Sequence, residues 1–158
     1  MGWENLLSLT LVVALGLMLV SAGIEDARVR EIANWKNAAI ALAAPLFWWS
    51  NGLSLWPDMA LQLLFAGIVF AIFCGVFAMG WMGGGDVKLI AALALWMPFI
   101  RFVDMMIIMS LAGGAVTLAM LAERALRKNS RAIEVPYGVA IAIAALLMLR
   151  EPLFNQFP

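Results

Sequence analysis

The sequence contains no histidine. That absence removes Ser-His-Asp triads, Cys-His dyads, helix-borne H-E-x-x-H zinc sites and His-ligated haem together. Cysteine occurs once, so neither an internal disulfide nor a C-x-x-C metal knuckle can form. Cys74, set among Ile72, Phe73, Val76 and Phe77, reads as buried and inert. Charge is scarce as well: 13% of the 158 residues are charged and 65% are hydrophobic, far from the roughly quarter charged and half apolar of soluble domains. The chain reads as a membrane protein. Ten Lys and Arg balance ten Asp and Glu, which leaves no basic field for a nucleic-acid partner. Chemistry in such a chain has to run on carboxylates, hydroxyls or cations, so the acidic residues are the place to search.

What the sequence has in abundance is long apolar runs. A helix needs about 20 apolar residues to cross a hydrocarbon core of roughly 30 Å, and Leu6 to Ile24 supplies a charge-free first span. A signal peptide fits less well, because Glu4 precedes the run without any Lys or Arg and the run exceeds an h-region of about 7–15 residues. A second span starts near Asn37 and ends in Phe47, Trp48 and Trp49, with Trp56 just beyond, an indole cluster expected at a membrane interface. Between Met59 and Ile100 the only charges are Asp86 and Lys88. That length suits two spans, with Gly83-Gly84-Gly85 as the hairpin between them. Val103 to Leu121 makes a fifth span, with small residues Ala112-Gly113-Gly114-Ala115 at its centre for close helix packing, and Val135 to Leu149 a sixth. The fourth and sixth are short, which implies a thinned membrane or a water-filled recess beside them. Arg28, Arg30, Lys36, Lys88, Arg124, Arg127, Lys128 and Arg131 all fall on one side of these spans, leaving Arg101 and Arg150 on the other. The positive-inside rule places the cation-rich side in the cytoplasm and both termini outside. The expected fold is an all-α integral membrane protein, a six-transmembrane-helix bundle forming a single domain over residues 1–158, without a repeat of fixed period.

On this topology Asp26 follows the cytoplasmic end of span one, and Asp86 opens span four from the same side. Singly, each has a plain structural reading. Asp86 would cap a helix beginning at Val87 while Lys88 snorkels to lipid headgroups, and Asp26 would belong to the mixed-charge loop from Glu25 to Glu31. As a pair they are what an aspartyl protease requires. Like charges at hydrogen-bond distance cannot both ionise, so one acid and one base result at a single pH. The base takes a proton from a water that attacks the scissile carbonyl, and the acid stabilises the oxyanion. Such chemistry needs no metal and no organic cofactor. The adjoining glycines let an extended substrate backbone come close.

Gly83-Gly84-Gly85-Asp86-Val87-Lys88-Leu89 resembles the G-x-G-D signature of intramembrane aspartyl proteases, and its continuation Ile90-Ala91-Ala92-Leu93 through Trp96 resembles the type IV prepilin peptidases. Asp26-Ala27-Arg28 with Ile32-Ala33-Asn34 resembles that family's first motif, D-x-R followed by I-P-N, with Ala33 where many members have Pro. The resemblance implies that Asp26 and Asp86 are catalytic, with Gly83, Gly84, Gly85, Lys88, Arg28 and Asn34 in support. It further implies a bacterial inner-membrane enzyme that removes, at the cytoplasmic face, the basic leader of a prepilin ahead of its hydrophobic helix. The longer family members carry paired C-x-x-C motifs and also methylate the new N-terminus. This chain lacks those cysteines and resembles the short, cleavage-only type of Flp or tight-adherence pili.

The remaining polar residues carry weaker expectations. Arg28 and Arg30 shape the potential around Asp26 or contact headgroups; Lys88 meets Asp86, an acidic substrate group or the headgroups; Asn34 bonds within the first motif or caps the second helix. Glu25, Glu31, Glu123 and Glu134 lie on the side where they would attract a basic leader or simply be solvated. Asp58 and Asp104 fall on the opposite face, too far from Asp86 to join it. Pro136-Tyr137-Gly138 opens span six, where the family has a similar motif and where a plain interfacial helix start looks the same. Three other functions compete. A lipoprotein signal peptidase also uses two membrane aspartates but acts at the outer face; an ion-coupled carrier would bury Asp86 between repeated halves; a non-catalytic pilus-assembly protein would tolerate loss of either aspartate.

Overall fold

The structure is a computed structural model that describes residues 2–127 and 137–149. The connection containing Lys128, Arg131, Glu134 and Pro136, and the segment containing Arg150, lie outside the described residues. The chain forms α1 (Trp3–Val29), α2 (Asn34–Ser50), α3 (Ala60–Ala78), α4 (Gly84–Ala94), α5 (Phe99–Arg127) and α6 (Tyr137–Met148), with no strand among the described residues. The all-helical expectation holds. Three segments are long and apolar enough to cross a membrane: Trp3–Val29, Leu55–Ala78 and Phe99–Glu123. Their outer surfaces remain apolar, with Leu17, Leu64 and Leu111 all well exposed, as suits helices whose solvent is lipid.

The fourth helix is of another kind. With 11 residues it is about 16 Å long at 1.5 Å per residue, half a hydrocarbon core. It is also the most enclosed element, burying Val87, Leu89, Ile90, Ala92, Leu93 and Ala94 against α2, α3 and α6. A helix that stops inside an apolar bundle leaves its last carbonyls without water, and each must find a donor. Here the donors are side chains. Gln62 Nε2 on α3 donates to the carbonyls of Ala94 and Met97, both at 2.7 Å, and Trp48 Nε1 on α2 donates to that of Leu95 at 2.7 Å. Trp96, just past the helix, donates from Nε1 to Ile40 O at 2.9 Å and stacks on Phe47 at 4.9 Å. Trp48 is therefore not an interfacial indole. It is buried as a cap for α4, and only Trp49 and Trp56 of that cluster stay exposed.

The link from α3 to α4 also departs from the sequence expectation. Gly83-Gly84-Gly85 does not make the hairpin. The turn is a Schellman ending of α3, in which Gly80 takes φ +74°, Gly80 N–H donates to Phe77 O at 2.8 Å and Trp81 N–H to Val76 O at 3.2 Å. The chain then runs back to Gly83, and Gly84 and Gly85 form the first residues of α4. Gln62 pins the C-terminal end of α4 to the start of α3, so the two helices can be measured from that common level. At 1.5 Å per residue Asp86 stands roughly 12 Å from Ala94, whereas Ala78 stands roughly 24 Å from Gln62. Asp86 is thus recessed well below the end of α3.

Candidate active site

Asp86 is the third residue of α4, not the cap of a helix starting at Val87. Its carboxyl curls back over the helix start, so that a Cβ on Gly83 would lie 3.0 Å from Oδ2. The side chain is buried, and among the described residues Oδ1 has no hydrogen-bond partner. Burying such an oxygen costs about 1–3 kcal/mol, which a purely structural cap would not incur. The glycine immediately before Asp86 is fixed by packing: a Cβ on Gly85 would stand 3.3 Å from Ile32 Cβ and 3.4 Å from Ile32 N. The first motif's loop therefore rests directly on the first turn of α4.

Asp26 sits in the last turn of α1, inside the helix instead of following it. The helix closes at Arg30, which takes the left-handed conformation (φ 60°) and donates its N–H to Asp26 O at 3.0 Å. The next residues fold over by means of Glu25, whose Oε2 accepts from Ala33 N–H at 3.2 Å and pairs with Lys36 Nζ at 2.8 Å. Lys36 also donates to Ser21 Oγ at 2.8 Å and is buried. It is not the solvated loop cation that the sequence suggests, but the clamp that holds the start of α2 against the end of α1. With the turn fixed, the Asp26 carboxyl faces the start of α6, where Val139 N–H donates to Oδ2 at 3.2 Å. Unpaired N–H groups at a helix start are natural partners for a carboxylate oxygen. Gly138 makes the approach possible. A Cβ there would lie 2.8 Å from Asp26 Cγ and 2.8 Å from Ile32 Cδ1.

These two constructions open into one cavity of roughly 410 Å³, lined by Asp26, Arg30, Glu31, Asp86, Lys88 and the three glycines 83–85, with Ile32, Asn34 and Phe77 completing it. Asp26 and Asp86 thus line the same cavity from separate helices. Arg28 is exposed and is not part of this lining, whereas Arg30 is. Lys88 Nζ donates to Asn34 Oδ1 at 2.7 Å, so the two supporting residues meet each other; Asn34 is the first residue of α2, after Ala33 at the cap position. Asp58 accepts from Ser54 N–H and Oγ at 3.0 and 2.7 Å, at the end of the bundle away from Asp86, and neither it nor Asp104 lines the cavity. Cys74 is half-buried, less enclosed than expected. Two residues were not singled out in the sequence. Asn37 is buried and donates from Nδ2 to Gly85 O at 3.1 Å; its signal was a second Asn one helical turn after Asn34 in an otherwise apolar run. Gly138 stood in a noted tripeptide, but its partner was invisible until α6 met α1. Among the described residues no group of three or more Cys, Asp or Glu gathers to hold a metal.

Two carboxyl groups brought from separate helices into one polar cavity of an apolar bundle are the equipment of an aspartic peptidase. The model of the type IV leader peptidase family matches residues 12–118, which include both aspartates and five of the six helices in whole or part, and the chain belongs to that family. It is accordingly a multi-pass membrane protein and an aspartic-type peptidase. No curated protein and no solved structure matches it.

Proposed function

We propose that the chain removes the leader of a Flp-like type IV prepilin at the cytoplasmic face of the bacterial inner membrane, with Asp26 and Asp86 as the catalytic pair. The observation that carries this reading is the meeting of the last turn of α1 and the first turn of α4 in one cavity, each contributing a buried carboxyl. A water between them loses a proton to the ionised carboxylate while its oxygen attacks the scissile carbonyl. The protonated partner hydrogen-bonds the developing oxyanion, and the pair titrates as one unit. When the tetrahedral intermediate collapses, a carboxyl proton goes to the leaving amine and the leader departs with a new carboxylate. The Val139 N–H holds the Asp26 carboxyl, and the Asp86 carboxyl lies back against Gly83.

On this reading residues 1–158 act as one membrane-embedded domain. The three long helices span the bilayer, both termini lie outside, and α2, α4 and α6 complete the bundle around the recess. The test is cleavage of a co-expressed Flp-type prepilin by wild type, Asp26→Asn and Asp86→Asn, with membrane levels of all three matched. Accumulation of uncut prepilin in both variants supports the pair. Wild-type cleavage in either one refutes the two-carboxylate mechanism and returns the carrier and assembly functions to consideration.

A further inference from the structure

We propose that the groove between α2 and α3 seats the apolar helix that follows the scissile bond, with the N-terminus of that helix at the catalytic end; this rests on the peptidase reading above. α2 and α3 both pack on α4 but scarcely touch each other, which leaves a trough of roughly 500 Å³ whose floor is α4. Its middle is lined by small side chains from all three helices, Ala38 and Ala41, Ala66 and Gly67, and Ala91, beside the larger Leu63, Phe70 and Leu95. Such surfaces let a second helix approach closely where lipid tails pack poorly. Gly67 has nothing within 4 Å of where its Cβ would be, so no neighbour in this chain requires it to be glycine.

Two observations assign the occupant. The trough is continuous with the aspartate cavity, because Asn34 and Lys88 line both and their 2.7 Å hydrogen bond forms the ridge between them. A chain lying in the trough therefore leads to Asp86 over one pair of side chains. The second observation is Asn37, which lines the trough at its catalytic end. It is 4% exposed, its amide nitrogen is engaged by Gly85, and among the described residues its Oδ1 has no partner. The first turn of a helix carries four N–H groups without internal acceptors, and in a bilayer they cannot turn to water. A buried carbonyl oxygen at that end answers donors, and a helix presents donors only at its N-terminus. The polarity of the occupant follows: its N-terminus meets Asn37 and the preceding extended residues cross the ridge to the aspartates. The substrate class is a membrane protein cut immediately ahead of an apolar helix.

The test uses the full-length chain in membranes, with Cys74→Ala to remove the native thiol and Asp86→Asn to keep substrate uncut. Gly67→Cys and Ala38→Cys place a thiol in the trough. Gly75→Cys places one on α3 outside it, at another site where a Cβ meets nothing within 4 Å. A co-expressed prepilin with a single cysteine moved through the first turns of its apolar helix is then oxidised. Disulfides to Gly67→Cys and Ala38→Cys that recur every three to four substrate positions, and none to Gly75→Cys, are the expected result. In an otherwise wild-type chain, Gly67→Leu lowers cleavage of the intact prepilin by about tenfold or more, yet spares a short peptide that ends soon after the scissile bond. Wild-type cleavage without cross-linking in the trough, or equal cross-linking at Gly75→Cys, overturns the groove and leaves the peptidase reading standing. Cross-linking without cleavage by the wild type keeps the groove and refutes the peptidase, and the loss of both refutes both.

Discussion

Gly138→Ala is the smallest change that addresses the aspartate pair without touching either carboxyl. The new methyl would sit 2.8 Å from Asp26 Cγ, 2.9 Å from Oδ2 and 2.8 Å from Ile32 Cδ1, against about 3.5–4.0 Å for carbon atoms in contact. Something must move by up to about 1 Å. Ile32 can turn its Cδ1 end aside, but the clash with Asp26 Cγ remains and Asp26 is held by the Val139 N–H, so the start of α6 is pushed away or the carboxyl rotates off its bond. Overpacking of this kind costs about 1–3 kcal/mol, partly offset by the gain of up to about 1 kcal/mol that Ala brings over Gly in a helix. Net stability therefore falls by no more than about 3 kcal/mol and the protein still folds. Catalysis is the more sensitive quantity, since a displacement near 1 Å costs on the order of a hundredfold in rate. The assay is the rate of prepilin cleavage in membranes, beside thermal unfolding in detergent, with Gly114→Ala on α5 as a control because its Cβ meets nothing within 4 Å. A Gly138→Ala enzyme that cleaves within twofold of wild type would refute the claim that α6 positions Asp26.

Four further outcomes follow from individual contacts. Glu25→Gln leaves the buried Lys36 without its anionic partner and lowers the unfolding midpoint; a double variant with Lys36→Gln recovers part of that loss in an unfolding cycle. Trp48→Phe strands the Leu95 carbonyl inside the bundle and destabilises by about 1–3 kcal/mol, whereas Trp49→Phe, on the exposed side, changes unfolding by less than about 0.5 kcal/mol. Arg30→Gly removes the left-handed penalty of a side chain and stabilises by about 1 kcal/mol in thermal unfolding, whereas Arg28→Ala, within the helix and exposed, gives no such gain. Lys88→Met breaks an exposed contact and moves stability by less than about 1 kcal/mol, so any larger loss of cleavage reports on the ridge between cavity and trough and not on folding.

The sequence was most legible where chemistry and hydropathy coincide. Asp26 and Asp86 stand out because a carboxylate bordering long apolar runs needs a reason, and the structure turns both into one cavity. The helical class was legible for the same reason. What periodicity could not resolve was the interior of the run from Met59 to Ile100. A span-length pattern says only that the residues avoid water, and α4 avoids it by burial inside the bundle over 11 residues. Its C-terminal carbonyls depend on Trp48, whose one-dimensional reading is an interfacial indole, and on Gln62, for which the sequence offers no sign of a partner. The glycines misled in the opposite sense. Three in a row look like a turn, but the turn is made by the single Gly80, while Gly85 is glycine because Ile32, more than fifty positions away in sequence, lies against it. Arg28 was preferred to Arg30 on motif spacing. A left-handed residue at the end of α1 reverses which of the two faces the cavity, and nothing in composition announces it.

The shortness of α4 bears on how such a bundle can cut a peptide at all. A peptide bond inside a helix is shielded by its own hydrogen bonds and by neighbouring side chains, and attack on its carbonyl requires that the segment be extended. Extending a segment deep in lipid would leave its N–H and C=O groups without partners, at several kcal/mol each. A carboxyl at the membrane surface would avoid that cost but would meet every passing loop. Placing Asp86 on a half-length helix, recessed roughly 12 Å below the end of α3, offers a third arrangement. The cavity there is polar, with Arg30, Glu31, Asn34 and Lys88 around it to receive the bared backbone, while the adjoining trough is apolar and can keep the rest of the substrate helical. The division between the two environments falls at the Lys88–Asn34 contact. If that contact marks where helix gives way to extended chain, lengthening the substrate by one residue between its scissile bond and its apolar helix carries the cut along, one bond further from the original leader end, because the helix start stays at Asn37. Mass spectrometry of the processed N-terminus reads the position directly. A cut that stays at the original bond would show that the leader and not the helix sets the register.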